Sequence, residues 1–316
     1  MTERTAHEAE TSAELILHYP VRSLDNELFL PAGTVLTPAR LQEISSMRKS
    51  AGLQKCSLLN YGTVRKDILR FLEAPPYDTI FADEELLIGL LQVMELVELA
   101  APVLETLDYF IRNDFYTYRH ILMVFALSTL LARDLLPDYA DQIREVATGP
   151  THDIGKICVP PEILSKQTPL TKQERRFLEH HVAAGYVLLS YYYGDDCDLT
   201  ARVARDHHER RNGSGYPRGI RMNDYAVEII AVSDVYDALI SPRPYRTASF
   251  ENRTALEEIT AMAERNEVNW EVVKALIAYN RRGRADAPGT VVSQQKRGTP
   301  PSGNVYGIVS DEDGRD

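Results

Sequence analysis

The chain predicts a mainly helical protein with a small mixed α/β unit in front, and three observations carry that expectation. From Asp83 to about Arg282 apolar residues recur at helical spacing, and no alternating run of useful length follows residue 77. Before that, short apolar stretches are broken by turn signals at Asp25-Asn26 and Pro31-Ala32-Gly33, the pattern of short strands. Thr171-Lys172-Gln173-Glu174 forms a capping box, whose side chains satisfy the orphan amides that open a long helix.

Residues 1–13 read as disordered. Residues 14–76 read as the α/β module. ELILHYPVRSL and ELFLPAGTVLT supply strands, and Thr37-Pro38 starts a helix that Ala51-Gly52 stops. The strand LQKCSLL and the helix VRKDILRFLE follow, and Pro75-Pro76 closes the unit. Residues 77–283 read as the helical domain. A connecting helix is expected over 83–112, a second from Tyr116 to Leu135, and a short one around 138–148. Next come the long helix after Thr171 and helices near 198–209, 226–240, 249–264 and 268–281. Residues 284–316 are rich in Gly, Pro, Ser and charge and read as a disordered tail.

The net charge of -11 over 316 residues argues against binding a nucleic-acid polymer, which wants a basic face. A small phosphorylated ligand remains admissible, because a metal or arginine cluster can reverse the field inside a cleft. Cys56, Cys158 and Cys197 match no disulfide or zinc-ribbon spacing, which fits a reducing cytoplasm. The polar, acidic start does not read as a signal peptide. The apolar run from Leu86 to Leu104 carries Gln92, Glu95 and Glu98, so no membrane span is expected there.

Six of the eight histidines lie between His120 and His208: His120, His152, His180-His181 and His207-His208. Asp234 follows on an apolar segment. Imidazole and carboxylate together suit Zn, Fe, Mn, Ni or Co, and separate helices can converge such ligands on a bundle core. In His152-Asp153, neighbours on a helix would point about 100° apart, so each reaches a different side of a site. The two oxygens of Asp153 can bridge two ions. Ions about 3.5–4 Å apart lower the pKa of a bridging water and clamp phosphoryl oxygens. Lys156, three residues on, can pair with a phosphate. Helix geometry does not choose between His180 and His181. The glycines of Asn212-Gly213-Ser214-Gly215 let backbone approach a ligand closely, Tyr216 can stack on a base or pack the loop down, and Pro217 stiffens the exit.

His152-Asp153-Ile154-Gly155-Lys156 resembles the HD motif of metal-dependent phosphohydrolases. His207-His208-Glu209, Gly213-Ser214-Gly215-Tyr216-Pro217, Asp234-Val235-Tyr236-Asp237-Ala238-Leu239 and Ser241-Pro242-Arg243-Pro244-Tyr245-Arg246 are similar to the motifs of its HD-GYP subfamily. Tyr116-Thr117-Tyr118-Arg119-His120 resembles the segment that carries the family's first histidine ligand. The likeness runs over roughly residues 110–250 and implies an all-helical HD-type bundle. It implies metal ligands at His120, His152, Asp153, His181, His207, His208 and Asp234. His181 is preferred because the family places this ligand four residues before a glycine, here Gly185. The resemblance assigns catalytic roles to Asp153 and Lys156. It assigns substrate contacts to Lys156, Gly215, Tyr216, Pro217, Arg243 and Arg246, the arginines suiting bidentate phosphate recognition. Tyr116 stands where some members have a glutamate that helps hold a third metal, so two divalent ions are expected, iron foremost, with Mn, Ni and Zn as alternatives.

Two departures are visible. Asn212 replaces the usual aspartate, and Gly149-Pro150-Thr151 precedes His152 where helical residues are usual. The activity implied is hydrolysis of cyclic di-GMP to pGpG, GMP or both through a metal-bridging hydroxide. The alternatives are a low-turnover signalling module that binds cyclic di-GMP or a GGDEF-type diguanylate cyclase, and a hydrolase of another nucleotide such as a mixed cyclic dinucleotide. The apolar face of 83–112 suits either a homodimer contact or packing on the bundle. The N-terminal module is similar to small modules in front of other HD-GYP domains and is expected to be structural or regulatory.

Overall fold

The computed structural model describes residues 15–47, 53–138, 141–142, 146–195, 198–242, 249–281, 292–293 and 295–301. The chain enters with two short antiparallel strands, β1 (Val21–Arg22) and β2 (Leu28–Leu30), in the register Val21 to Leu30. Between them Asn26 adopts a positive φ of 64°, as the Asp25-Asn26 turn signal requires. Helix α1 (Pro38–Met47) buries Leu41 and Ile44, and the Thr37 hydroxyl accepts from the Arg40 amide as its cap. Strand β3 (Lys55–Ser57), helix α2 (Val64–Leu72) and the short helix α3 (Tyr77–Ile80) follow.

The expected single helix over 83–112 is corrected. Helix α4 (Glu84–Glu95), capped by Asp83, ends before strand β4 (Glu98–Ala100), and helix α5 (Ala101–Asn113) starts afresh. Pro102 lies in the first turn of α5. In mid-helix its ring would clash with a carbonyl one turn back and remove a hydrogen bond, so the chain stops and restarts there. β4 pairs antiparallel with β3, so one strand does follow residue 77, and it adds to the N-terminal unit.

Helix α6 (Phe115–Leu135), capped by Asp114, is the axis of the protein. By length and composition it could cross a membrane, but 83% of its apolar window is buried inside the fold, as in a core helix. Helix α5, the turn at Gly149–Thr151, and helices α10 (Tyr225–Ile240) and α12 (Trp270–Tyr279) pack around it. Two 3₁₀ turns, Gly149–Thr151 and Ile154–Cys158, lead to helix α7 (Pro161–Leu164) and then to α8 (Lys172–Tyr193). Both hydrogen bonds of the Thr171/Glu174 capping box are present, and Gly194 ends α8 in the left-handed conformation. Helices α9 (Leu199–Asp206) and α11 (Asn252–Glu264) complete the set. Most of the expected tail lies outside the described residues; within the part described, the backbone N–H groups of residues 297 and 298 donate to the Glu257 carboxylate.

Two glycines decide how closely the 154–158 turn approaches α8. A Cβ on Gly155 would lie 1.9 Å from the His181 carbonyl oxygen and 2.4 Å from the Gly185 nitrogen. A Cβ on Gly185 would meet nothing closer than 3.4 Å. Gly155→Ala should therefore destabilise the protein by about 3 kcal/mol in urea unfolding, because backbone must move. Gly185→Ala should cost much less, and equal losses would show that this contact is not the tight one.

A buried cluster of histidines and aspartates

The seven candidate ligands are delivered by five separate segments of the chain. The first turns of α6 bring His120 inward, and α8 contributes His181. His207 caps the C-terminus of α9, with His208 next to it, and α10 carries Asp234. His152 and Asp153 do not sit on an α-helix, as sequence spacing had suggested, but in the joint between the two 3₁₀ turns. Proline at 150 prevents a continuous helix, and Gly149 lets the joint press on α6: its Cβ would meet the Ser128 hydroxyl at 2.7 Å and Phe125 Cα at 3.0 Å. The unusual Gly-Pro entry is thus what seats the His-Asp pair against the central helix.

The seven side chains face one pocket, with Asp153 in the middle. Its Oδ2 lies 3.4 Å from His152 Nε2 and 3.6 Å from His120 Nε2. Its Oδ1 lies 3.4 Å from His181 Nε2 and 3.9 Å from His207 Nε2. Asp234 Oδ1 is 3.0 Å from His120 Nε2, and its Oδ2 is 3.9 Å from His208 Nδ1. Three groups of donors have ligand atoms within 4.8 Å of one another: His120/His152/Asp234, His181/His207/His208, and His152/Asp153/His207. His180, beside His181 in sequence, turns away and meets the edge of the Tyr19 ring of the N-terminal unit, 5.6 Å between centroids.

The imidazoles are aimed by their second nitrogens. Nδ1 of His152 lies 2.7 Å from the Gly149 carbonyl, that of His181 2.6 Å from Leu178 O, and that of His207 3.0 Å from Ala204 O. A carbonyl only accepts, so in each ring Nδ1 carries the proton and Nε2 offers its lone pair to the pocket. Among the described residues His152 Nε2 is buried and makes no hydrogen bond, the signature of an atom that awaits a cation. Burial, aided by neighbouring positive groups, lowers His181 to about 4 and His207 to about 3, and pushes His208 well below the usual imidazole value. Burial would raise Asp153, but Lys156 and the imidazoles outweigh it and hold the carboxyl well below its ordinary range. The hydrogen bond from His120 and the nearby imidazoles do the same for Asp234. Neutral imidazoles at His181, His207 and His208 beside ionised carboxylates at Asp153 and Asp234 are protonation states that bind a divalent metal, so the donor set fits one.

Lys156 Nζ sits 2.5 Å from Asp153 Oδ2. The side chains that keep some exposure are Asp234 at 9%, Lys156 at 14% and His208 at 16%, and they mark the side on which a ligand would enter. The Tyr216 ring stacks on His208, 4.5 Å between centroids. Gly215 permits it, since a Cβ there would lie 2.3 Å from the His208 carbonyl oxygen. Pro217 follows through a cis peptide bond. Asn212 is tied at both ends: its Oδ1 accepts from the Ser214 amide and its Nδ2 donates to the Arg265 carbonyl. The second contact needs an N–H that aspartate lacks, so this departure secures the loop rather than loosening it. Arg243 and Arg246 lie outside the described residues.

Two residues escaped the sequence reading. Asp237, one turn after Asp234 on α10, accepts a hydrogen bond from His120 Nδ1 at 2.6 Å. The three-residue spacing within Asp-Val-Tyr-Asp was the available signal, because residues three apart share a helix face. Glu209 accepts from the backbone amides of Arg218 at 2.7 Å and Ile220 at 3.1 Å, and so clasps the exit of the Gly-Tyr-Pro loop. The sequence offers it only as the end of His207-His208-Glu209 and does not give this role, since its partners lie on the other side of a loop. In Glu209→Gln one acceptor oxygen becomes a donor facing an N–H. Faster hydrogen exchange is expected at the Arg218 or Ile220 amide, with α6 unchanged. Equal protection in both proteins would remove Glu209 as the clasp.

The HD domain family matches residues 92–269. A cyclic di-GMP phosphodiesterase of Thermotoga maritima is 37% identical over 136 residues, which is 42% of this chain and 37% of that protein. A 3'3'-cGAMP-specific phosphodiesterase 1 of Vibrio cholerae is 34% identical over 170 residues, 53% of this chain and 37% of that protein. The match thus spans little more than a third of either relative. A solved structure of an HDG"Y"P protein from Bdellovibrio bacteriovorus aligns over 84% of this chain and 95% of that chain, with a TM-score of 0.43 and 14% identity. This chain belongs to the HD domain family, and its Gly215-Tyr216-Pro217 loop resembles the one that marks the HD-GYP branch.

Proposed function

We propose that this chain is a metal-dependent phosphodiesterase that hydrolyses cyclic di-GMP to pGpG, GMP or both. The observation that carries the reading is the position of Asp153, whose two oxygens face two separate groups of histidine nitrogens. His120, His152 and Asp234 would hold one divalent ion; His181, His207 and His208 would hold a second; Asp153 would serve both. Bound ions of this kind supply Lewis acidity, which neutralises phosphate charge and makes water a better nucleophile at neutral pH. Iron is the first candidate, with Mn, Ni and Zn admitted by the same donors.

The protein's own groups do the rest. Lys156 stands on the open side, where its ammonium can leave Asp153 in part to meet a non-bridging phosphate oxygen. Tyr216, stacked on His208, would border the site where His208 holds a metal, and its ring is available to stack on a purine. Arg243 and Arg246 are proposed as further phosphate contacts. The low-turnover alternative rested on Asn212 and Gly149-Pro150, and each of these supports the site instead. A second substrate remains a specific option, because one relative carries the name of a 3'3'-cGAMP-specific enzyme.

Protein purified without oxygen should contain about two ions per chain and hydrolyse cyclic di-GMP, read by elemental analysis and product chromatography. The His152→Ala/Asp153→Ala variant should do neither; retained turnover would exclude this mechanism, and a metal content close to three would overturn the binuclear reading. Assays with 3'3'-cGAMP in parallel decide the preferred substrate.

Lys156→Met should lower kcat/KM by on the order of 100-fold with metal content unchanged, the size expected for one donor aimed at developing phosphate charge. Loss of metal together with activity would instead assign Lys156 to holding Asp153 in place.

A further inference from the structure

Among the well-anchored imidazoles, His120 is the exception. His152, His181 and His207 rest their Nδ1 atoms on backbone carbonyls, whereas His120 uses the Asp237 carboxylate. A carboxylate is the stronger acceptor, fixing the ring's tautomer and raising the donor strength of the opposite nitrogen. Asp237 is itself fully buried and held from the other side. Its Oδ1 receives the Tyr77 hydroxyl at 2.5 Å, the Ser241 hydroxyl at 2.8 Å and the Arg119 guanidinium at 3.2 Å. Three donors crowd one oxygen and leave the other for His120.

Tyr77 comes from α3, ahead of the residues that the HD domain family matches. Its ring is 1% exposed, and its hydroxyl has crossed 160 positions of sequence to reach Asp237. A tyrosine buried only for packing would leave an unmet hydroxyl; this one ends in a charge-assisted hydrogen bond.

We infer that Tyr77 is a positioning residue for the metal centre: through Asp237 it orients His120, so that the segment before the HD domain sets the affinity of one metal position and a displacement of α3 is felt there. This rests on the proposed reading of the cluster as a metal site. It extends that reading to regulation, because α3 follows directly on the N-terminal unit and is the link through which a change in that unit reaches His120.

The test uses the full chain stripped of metal. Proton NMR of ¹⁵N-labelled protein should show a far-downfield resonance from His120 Nδ1–H, assigned to His120 by its loss in His120→Ala and told apart from an Nε2–H facing Asp234 by its ring-nitrogen correlations. Tyr77→Phe should shift or broaden it, and Asp237→Asn should abolish it. In Asp237→Asn the three donors keep the amide oxygen on their side and turn the NH₂ group toward His120, which forces the ring to the opposite tautomer. Titration with Co²⁺, followed by visible absorption and calorimetry, should then show one of the ions bound roughly tenfold more weakly in Tyr77→Phe. The Tyr77→Phe penalty should shrink in the Asp237→Asn background. Ile259→Val, buried in α11 and outside the Tyr77–Asp237–His120 chain of contacts, should lower stability yet leave Co²⁺ affinity unchanged. An unmoved resonance and unchanged Co²⁺ affinity in folded Tyr77→Phe would overturn the inference. If the wild type binds no Co²⁺, the metal reading fails, while the NMR comparison still decides whether Tyr77 acts on His120.

Discussion

The buried carboxylate of Asp153 is the constraint around which the rest of this structure is arranged. It is 1% exposed, and a lone ionised carboxylate at such a place would cost several kcal/mol or take up a proton. It remains ionised because Lys156 lies 2.5 Å away and four imidazoles surround it. Those neighbours come from α6, the 3₁₀ joint, α8 and the end of α9. Helices otherwise distant in sequence must therefore converge, and the close contacts at Gly149 and Gly155 are what let the joint reach between them.

Convergence alone would not make a ligand set, because an imidazole with the wrong tautomer points a proton at the metal. Here the backbone solves the problem three times. The carbonyls of Gly149, Leu178 and Ala204 lie three residues before His152, His181 and His207, where a helical or 3₁₀ turn naturally places an acceptor beneath the ring. His120 has a carboxylate instead, shared with Tyr77 and Arg119. The cluster is thereby wired asymmetrically: one half leans on local backbone, the other on a side-chain network that extends out of the HD domain. Such networks carry distant coupling well, since moving one member leaves a buried charge poorly paired.

The ligand positions were legible because they sit in short local strings: His-Asp, paired histidines, an aspartate in an apolar helix. The loop was legible for the same reason, through its glycines. What escaped was long-range partnership. Asp237 was quoted within a motif, yet its role depends on the angle between α6 and α10. Glu209 and Tyr77 act on residues reached only after the chain folds back. The break at residues 96–100 is signalled only by Pro102, because the apolar pattern on either side continues as if unbroken.

Helical class, the order of the main helices and the inventory of candidate metal-binding side chains follow from local chemistry, since capping, periodicity and donor type are properties of neighbouring residues. Which histidine of the 180–181 pair turns inward, which oxygen of Asp153 meets which imidazoles, and which hydroxyl steadies His120 are questions of distance between elements. Those distances are set by how closely backbones can approach, at Gly149, Gly155 and Gly215, and by the need to pair every charge the core encloses. Packing answers them only when all the helices are in place, and for that reason they could not be read along the chain.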